Sequence, residues 1–162
     1  MRWDELGSET CSVARTLSVI GDRWTLMILR DCFMGVRRFE AFEASLGITR
    51  HVLSDRLQKL VSEDVLRKEP YGEAPVRYQY RLTEKGFDLY PVIMSIVYWG
   101  DSHQADARGA PIIHHHKTCG HQMHGTLVCS ECGEPLDARS VEALPGPGFT
   151  RPARKPKRAR PS

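Results

Sequence analysis

Residues 39–62 read FEAFEASLGITRHVLSDRLQKLVS. Phe39, Phe42 and Leu46 recur at intervals of three and four, which predicts a short amphipathic helix. Gly47 follows as its C-cap, because glycine enters the left-handed conformation without a Cβ penalty. Thr49 suits the N-cap of the next helix, in which Leu53, Leu57, Leu60 and Val61 fall on the inner face. Two amphipathic helices joined by so tight a turn have the sequence form of a helix-turn-helix, with the second helix, Thr49 to Glu63, as the reader. Thr49, Arg50, His51, Ser54, Asp55 and Gln58 stand at its start and on its outer face. Arginine can bond guanine through two donors, glutamine can do so with adenine, and aspartate accepts from cytosine. A solvated helix face would carry similar residues, so the flanking segments must decide.

Downstream, Val65 to Tyr71 reads as a strand and Gly72 to Pro75 as a turn. Val76, Tyr78, Tyr80 and Leu82 then alternate with Arg77, Gln79 and Arg81 as the return strand. This predicts a β-hairpin wing made locally positive by Arg67, Lys68, Arg77 and Arg81, as phosphate contact beside a groove requires. Arg38, heading the helix at 39–46, joins them in the expected DNA-binding set. Upstream, Cys11 to Ile20 carries Val13, Ala14, Leu17 and Ile20 at helical spacing and ends at Gly21. Asp22 then caps a helix whose Trp24, Leu26, Met27, Ile28 and Leu29 surround it almost completely, the pattern of a central helix, until Gly35. Thr83 to His103 predicts a last helix, kinked or restarted at Pro91, whose Phe87, Tyr90, Met94, Val97 and Tyr98 suit a dimer interface or packing on the monomer core.

Charge alone proves little. The chain has 162 residues and a formal net charge of +3, but the last twelve, RPARKPKRARPS, hold six Lys/Arg and no acid. Residues 1–150 therefore carry 17 positive against 20 negative side chains. No apolar run approaches the roughly 20 residues that cross a bilayer, and MRWDELGSET lacks the basic and apolar regions of a secretion signal. A cytoplasmic protein with no membrane partner is expected. Five cysteines, three of them at 119, 129 and 132, fit reduced thiols or a metal better than a disulfide framework.

From Cys11 to Asp101 the chain resembles HxlR-type regulators, a branch of the winged-helix repressors near the MarR group. The resemblance is carried by Cys11, by IGDRWTLMIL at 20–29, GVRRFEAF at 35–42, GITRHVLSDRLQKL at 47–60 and YRLTEKG at 80–86, and by the WG pair at 99–100. It implies a homodimer with an interface of N- and C-terminal helices, binding a palindromic double-stranded operator and repressing or activating nearby genes. It also implies a thiol- or ligand-response, since some relatives sense oxidants or electrophiles at the position of Cys11. Two residues depart from the family: Asp64 stands where glycine is usual after the recognition helix, and Ser12 where proline follows the cysteine.

Beyond Gly109 the composition changes to IIHHHKTCGHQMHGTLVCSECGEPL, followed by the Pro/Gly-rich ALPGPG. Cys129 and Cys132 form a ribbon-like knuckle, with Cys119 upstream and His116, His121 and His124 within reach as a fourth ligand. His116 has the best spacing, so His116, Cys119, Cys129 and Cys132 are the expected ligands of one structural zinc. A dithiol switch or incidental cysteines are the alternatives. The expected fold is mainly α with a small β-hairpin (α+β): a winged helix-turn-helix and dimerisation domain at 1–108, a zinc-ribbon-like module at 109–144 and a disordered basic tail at 145–162. An enzyme is disfavoured. Only Glu131 or Glu134 could act as a base near the cysteines, and no phosphate loop, nucleophile elbow or dinucleotide fingerprint is present. The alternative function is an RNA-binding or protein-interaction ribbon.

Overall fold

In a computed structural model the protein is described over residues 3–72 and 75–149; the basic tail expected to 162 lies, from 150 onward, outside the described residues. A short 3-10 helix, Trp3–Ser8, leads into α1 (Ser12–Ile20) and α2 (Arg23–Phe33). The helix-turn-helix follows as α3 (Phe39–Leu46) and α4 (Arg50–Ser62), then the antiparallel hairpin β1 (Leu66–Tyr71) and β2 (Arg77–Leu82). The expected long last helix is two helices, α5 (Glu84–Phe87) and α6 (Tyr90–His103), with Pro91 in the first turn of α6. Proline there costs no intrahelical hydrogen bond, so the chain restarts instead of kinking. This is an α+β winged helix-turn-helix.

The predicted caps are present. The Asp22 carboxylate accepts from the amides of Trp24 at 3.0 Å and Thr25 at 3.2 Å. Gly47 ends α3 with φ 61° and ψ 26°. Asp64, where the family usually places glycine, has φ 55°, a conformation that aspartate tolerates better than most residues. The core brings together α2, α3, α4 and the hairpin base: Ile28, Leu29, Phe42, Leu53, Leu57 and Leu60 are fully buried and Val65 and Leu66 nearly so.

The turn after α4 and the turn after β2 are stapled together. Thr83 donates its hydroxyl to the Asp64 carbonyl at 2.6 Å and its amide to the Val65 carbonyl at 3.2 Å, while Lys85 Nζ donates to the Glu63 carbonyl at 2.6 Å. Gly86 lies flat against this turn: a Cβ there would stand 2.2 Å from the Val65 carbonyl oxygen.

The aromatic face expected for dimerisation is divided. Met94 is buried in the monomer. Phe33 takes the edge of Tyr90 at 5.1 Å between ring centroids, and Tyr98 is stacked by His124 at 4.3 Å. Phe87 of α5 and Tyr90 of α6 remain exposed, and α6 also leaves Val92, Ile96 and Trp99 exposed.

Candidate DNA-binding surface

The burial of Leu53, Leu57 and Leu60 fixes which side of α4 faces outward. Arg50, His51, Ser54, Asp55 and Gln58 are all exposed, and at 100° per residue they span an arc of about 140°. Thr49 accepts the Val52 amide at 3.5 Å as the N-cap, so its hydroxyl serves the helix end. Two basic residues the sequence left unassigned hold α4 in place. Arg56 donates to both carboxylate oxygens of Asp22, at 2.9 and 3.4 Å, and Lys59 Nζ donates to the Ser18 carbonyl. Burial alone would raise the Asp22 carboxyl, but the Arg56 guanidinium and the two amide donors hold it below the usual carboxylate range. One aspartate thus caps α2 and anchors the reader helix.

The outer face is not a row of free side chains. Arg50 Nη1 donates to Glu43 Oε2 at 2.7 Å and its guanidinium lies over the Phe39 ring at 4.8 Å, so α3 holds it. His51 and Asp55 face each other one turn apart at 3.5 Å. Ser54 and Gln58 are exposed and carry no side-chain hydrogen bond among the described residues.

The wing's four cations are not equivalent. The register sets Arg67 opposite Arg81, Glu69 opposite Gln79 and Tyr71 opposite Arg77, so these six share one face, while Lys68 lies on the other, opposite Tyr80. Glu69 sits between the two arginines, accepting from Arg67 Nε at 2.6 Å with Arg81 Nε 2.9 Å away. The hydrogen bond from Arg67, with the charges of Arg67 and Arg81, holds the Glu69 carboxyl below its usual range. One carboxylate thus offsets part of the charge of Arg67 and Arg81, and the two strands keep four cations against one acid. Arg77 is exposed with no ion-pair partner among the described residues, and Lys68 rides over the Tyr78 ring at 4.2 Å. Arg38 stacks on Tyr71 at 4.8 Å and pairs with Gln79 in a single antiparallel bridge, which attaches the segment before α3 to the wing. Its neighbour Arg37, which sequence reasoning did not single out, is exposed beside it, and its carbonyl accepts the Tyr80 amide at 2.8 Å.

The other predicted residues lie apart from this surface. Cys11 is the exposed N-cap of α1, though its side chain makes no capping bond. His116 and Cys119 are adjacent, with Nδ1 and Sγ 3.4 Å apart. The amides of Cys132 and Glu131 and the Cys132 thiol hold the Cys129 thiol below its usual range. Among the described residues no three His, Cys, Asp or Glu side chains gather closely enough to hold an ion, so the four expected zinc ligands stand as two pairs.

Residues 19–108 match the HxlR-like helix-turn-helix family. An uncharacterised HTH-type transcriptional regulator of Mycobacterium tuberculosis is 46% identical over 138 residues, 85% of this chain and 87% of its own. The regulator YybR of Bacillus subtilis, likewise uncharacterised, is 32% identical over 97 residues, 59% of this chain and 78% of its own. Among solved structures, the transcription-factor candidate PA1607 superposes with a TM-score of 0.77 at 32% identity, covering 85% of this chain and 96% of its own. The redox regulator HypR, in its reduced form, superposes at 0.55 with 30% identity, covering 58% and 94%. The mycobacterial match is 30 residues longer than the first 108 residues, so it reaches at least that far into the cysteine-bearing segment. With its helix-turn-helix, its wing and these relatives, the chain belongs to the HxlR-like helix-turn-helix family and is a DNA-binding transcriptional regulator.

Proposed function

We propose that the protein is a cytoplasmic repressor, without a catalytic role, that binds a palindromic operator as a homodimer. The observation that carries this reading is the exposed arc of Arg50, His51, Ser54, Asp55 and Gln58 on α4, flanked on the wing by Arg77 and Lys68. The terminal helices support the dimer. Val13 and Leu17 on α1 and Val92, Ile96 and Trp99 on α6 are exposed apolar side chains, and a second copy would cover them. A two-fold axis there sets the two α4 helices about one helical turn apart on one face of the duplex. In this reading Arg50 exchanges its Glu43 partner for a guanine edge, while Arg38, Arg77 and Lys68 meet phosphates. Arg50→Ala should cost about 1 to 3 kcal/mol at a single base position, whereas Arg77→Ala should weaken all sequences alike and reduce the salt slope by about one unit. Footprinting and binding to an operator mutated base by base test this. A footprint without two-fold symmetry, or sequence preference unchanged in Arg50→Ala, would overturn it.

The thiol response is placed at Cys11. Cys32 is poorly suited: burial, with the nearby Asp31 charge, pushes its thiol up to about 12, so it stays protonated and inert. Cys11 is exposed and heads a helix, and the similarity to HypR, named a redox regulator, supports a role in sensing. An electrophile should shift operator affinity in the wild type and not in Cys11→Ser, while mass mapping finds Cys32 unmodified. An equal shift in both proteins would remove Cys11 from the mechanism.

A further inference from the structure

The C-terminal segment builds the same backbone device twice. In the first copy the His116 amide donates to the His121 carbonyl at 2.9 Å, the Gly120 amide to the His116 carbonyl at 2.7 Å, and the Met123 amide to the His114 carbonyl at 2.8 Å. Thirteen residues on, the Cys129 amide donates to Glu134, Gly133 to Cys129 and Leu136 to Leu127, each at 2.9 Å. The flanking bridges repeat as well, His115 with Gln122 and Val128 with Pro135. Gly120 and Gly133 occupy the same left-handed corner, at φ 71° and 75°. Each of these backbone bonds in one knuckle has its counterpart in the other. The shift superposes His116 on Cys129 and Cys119 on Cys132, so both knuckles present a metal-ligating side chain at their first and fourth positions.

Burial does not explain why such a segment folds. Between Gln104 and Phe149 no residue is buried, and Leu127, Val128, Val141 and Leu144 are exposed. A unit this small without a core needs a cross-link, and in a reducing compartment a metal supplies one. Three of the neighbouring histidines are engaged elsewhere. The His124 ring stacks on Tyr98 of α6, the His114 ring meets the same tyrosine edge-on at 6.3 Å, and His115 Nδ1 lies 3.3 Å from the Gly120 carbonyl. Of the histidines, His116 alone holds the backbone position that a cysteine holds in the second knuckle.

We propose that the two knuckles close on a single zinc ion held by His116, Cys119, Cys129 and Cys132. The ion draws the two separate ligand pairs into one tetrahedron, each cysteine giving up its proton on binding. All four positions are filled by protein, so the site is structural, with no open position for a substrate or water. His124 and His114 then dock the closed module against Tyr98 on α6.

The test uses the full chain, expressed without affinity histidines. Elemental analysis should find about one zinc per chain, and replacement by Co²⁺ should give the visible bands of a tetrahedral three-thiolate, one-imidazole site. Cys132→Ser should reduce bound metal at least tenfold. His116→Cys should keep one metal and move the cobalt bands toward those of a four-thiolate site, and His121→Ala should change neither content nor spectrum. The proposal fails if the chain takes up no Zn²⁺ or Co²⁺, if it holds two ions, one per knuckle, if metal survives joint loss of Cys129 and Cys132, or if His121→Ala releases it.

Discussion

Leu57→Ala should lower the unfolding free energy by about 2 to 5 kcal/mol, because a fully buried leucine leaves both lost apolar transfer and a cavity. Leu57 shares its cluster with Ile28, Leu29 and Phe42, side chains from two other helices, so the void opens where α4 is pressed onto the core. Against the roughly 5 to 15 kcal/mol that domains of this size possess, the loss is a large fraction. The denaturation midpoint should fall with an unchanged slope. Gln58→Ala, one residue along on the exposed side, should stay within about 0.5 kcal/mol. A Leu57→Ala loss below about 1 kcal/mol would mean that this face of α4 is not the buried one.

Gly86→Ala sets two effects of opposite sign against each other. Alanine outranks glycine inside a helix by about 1 kcal/mol, so propensity alone forecasts a gain. The added methyl, however, would stand 2.2 Å from the Val65 carbonyl oxygen and 3.0 Å from Leu82 Cδ2. The oxygen belongs to backbone that also accepts the Thr83 amide, so neither side can yield as a flexible side chain would. The clash should win, with a net loss of about 3 kcal/mol. Thermal unfolding followed by circular dichroism measures it, and a variant as stable as the wild type would show that α5 does not press on the turn after α4.

Much of the fold was legible because its signals are local. Asp22, Gly47 and Thr49 each act on a backbone group within four residues of themselves, and the Leu53, Leu57, Leu60 spacing needs no knowledge of what α4 packs against. Pro91 announced an interruption, though only the structure shows a restart within the first turn of α6. Charge at the candidate site was legible less well, because it depends on register. The wing's composition shows four cations and two acids, and only the pairing of Arg67 with Arg81 places Glu69 between them. The Arg50–Glu43 pair spans seven residues across a turn whose geometry the residue types do not specify. For the cysteines, spacing indicated one knuckle at Cys129 and Cys132 and favoured His116 as a further ligand. The glycines after Cys119 and Cys132 mark a shared corner, but the repeated backbone hydrogen bonds that equate His116 with Cys129 appear only in the structure.

The staple between the turn after α4 and the turn before α5 also bears on how a signal could travel. Thr83 and Lys85 grip the carbonyls of Glu63 and Asp64, Gly86 presses on Val65, and the Leu89 amide donates to the Gly86 carbonyl one residue before α6 begins. The end of the reader helix and the start of the terminal helix are therefore clamped to the same few peptide units. A displacement of either helix at this point would therefore strain the hydrogen bonds that attach the other.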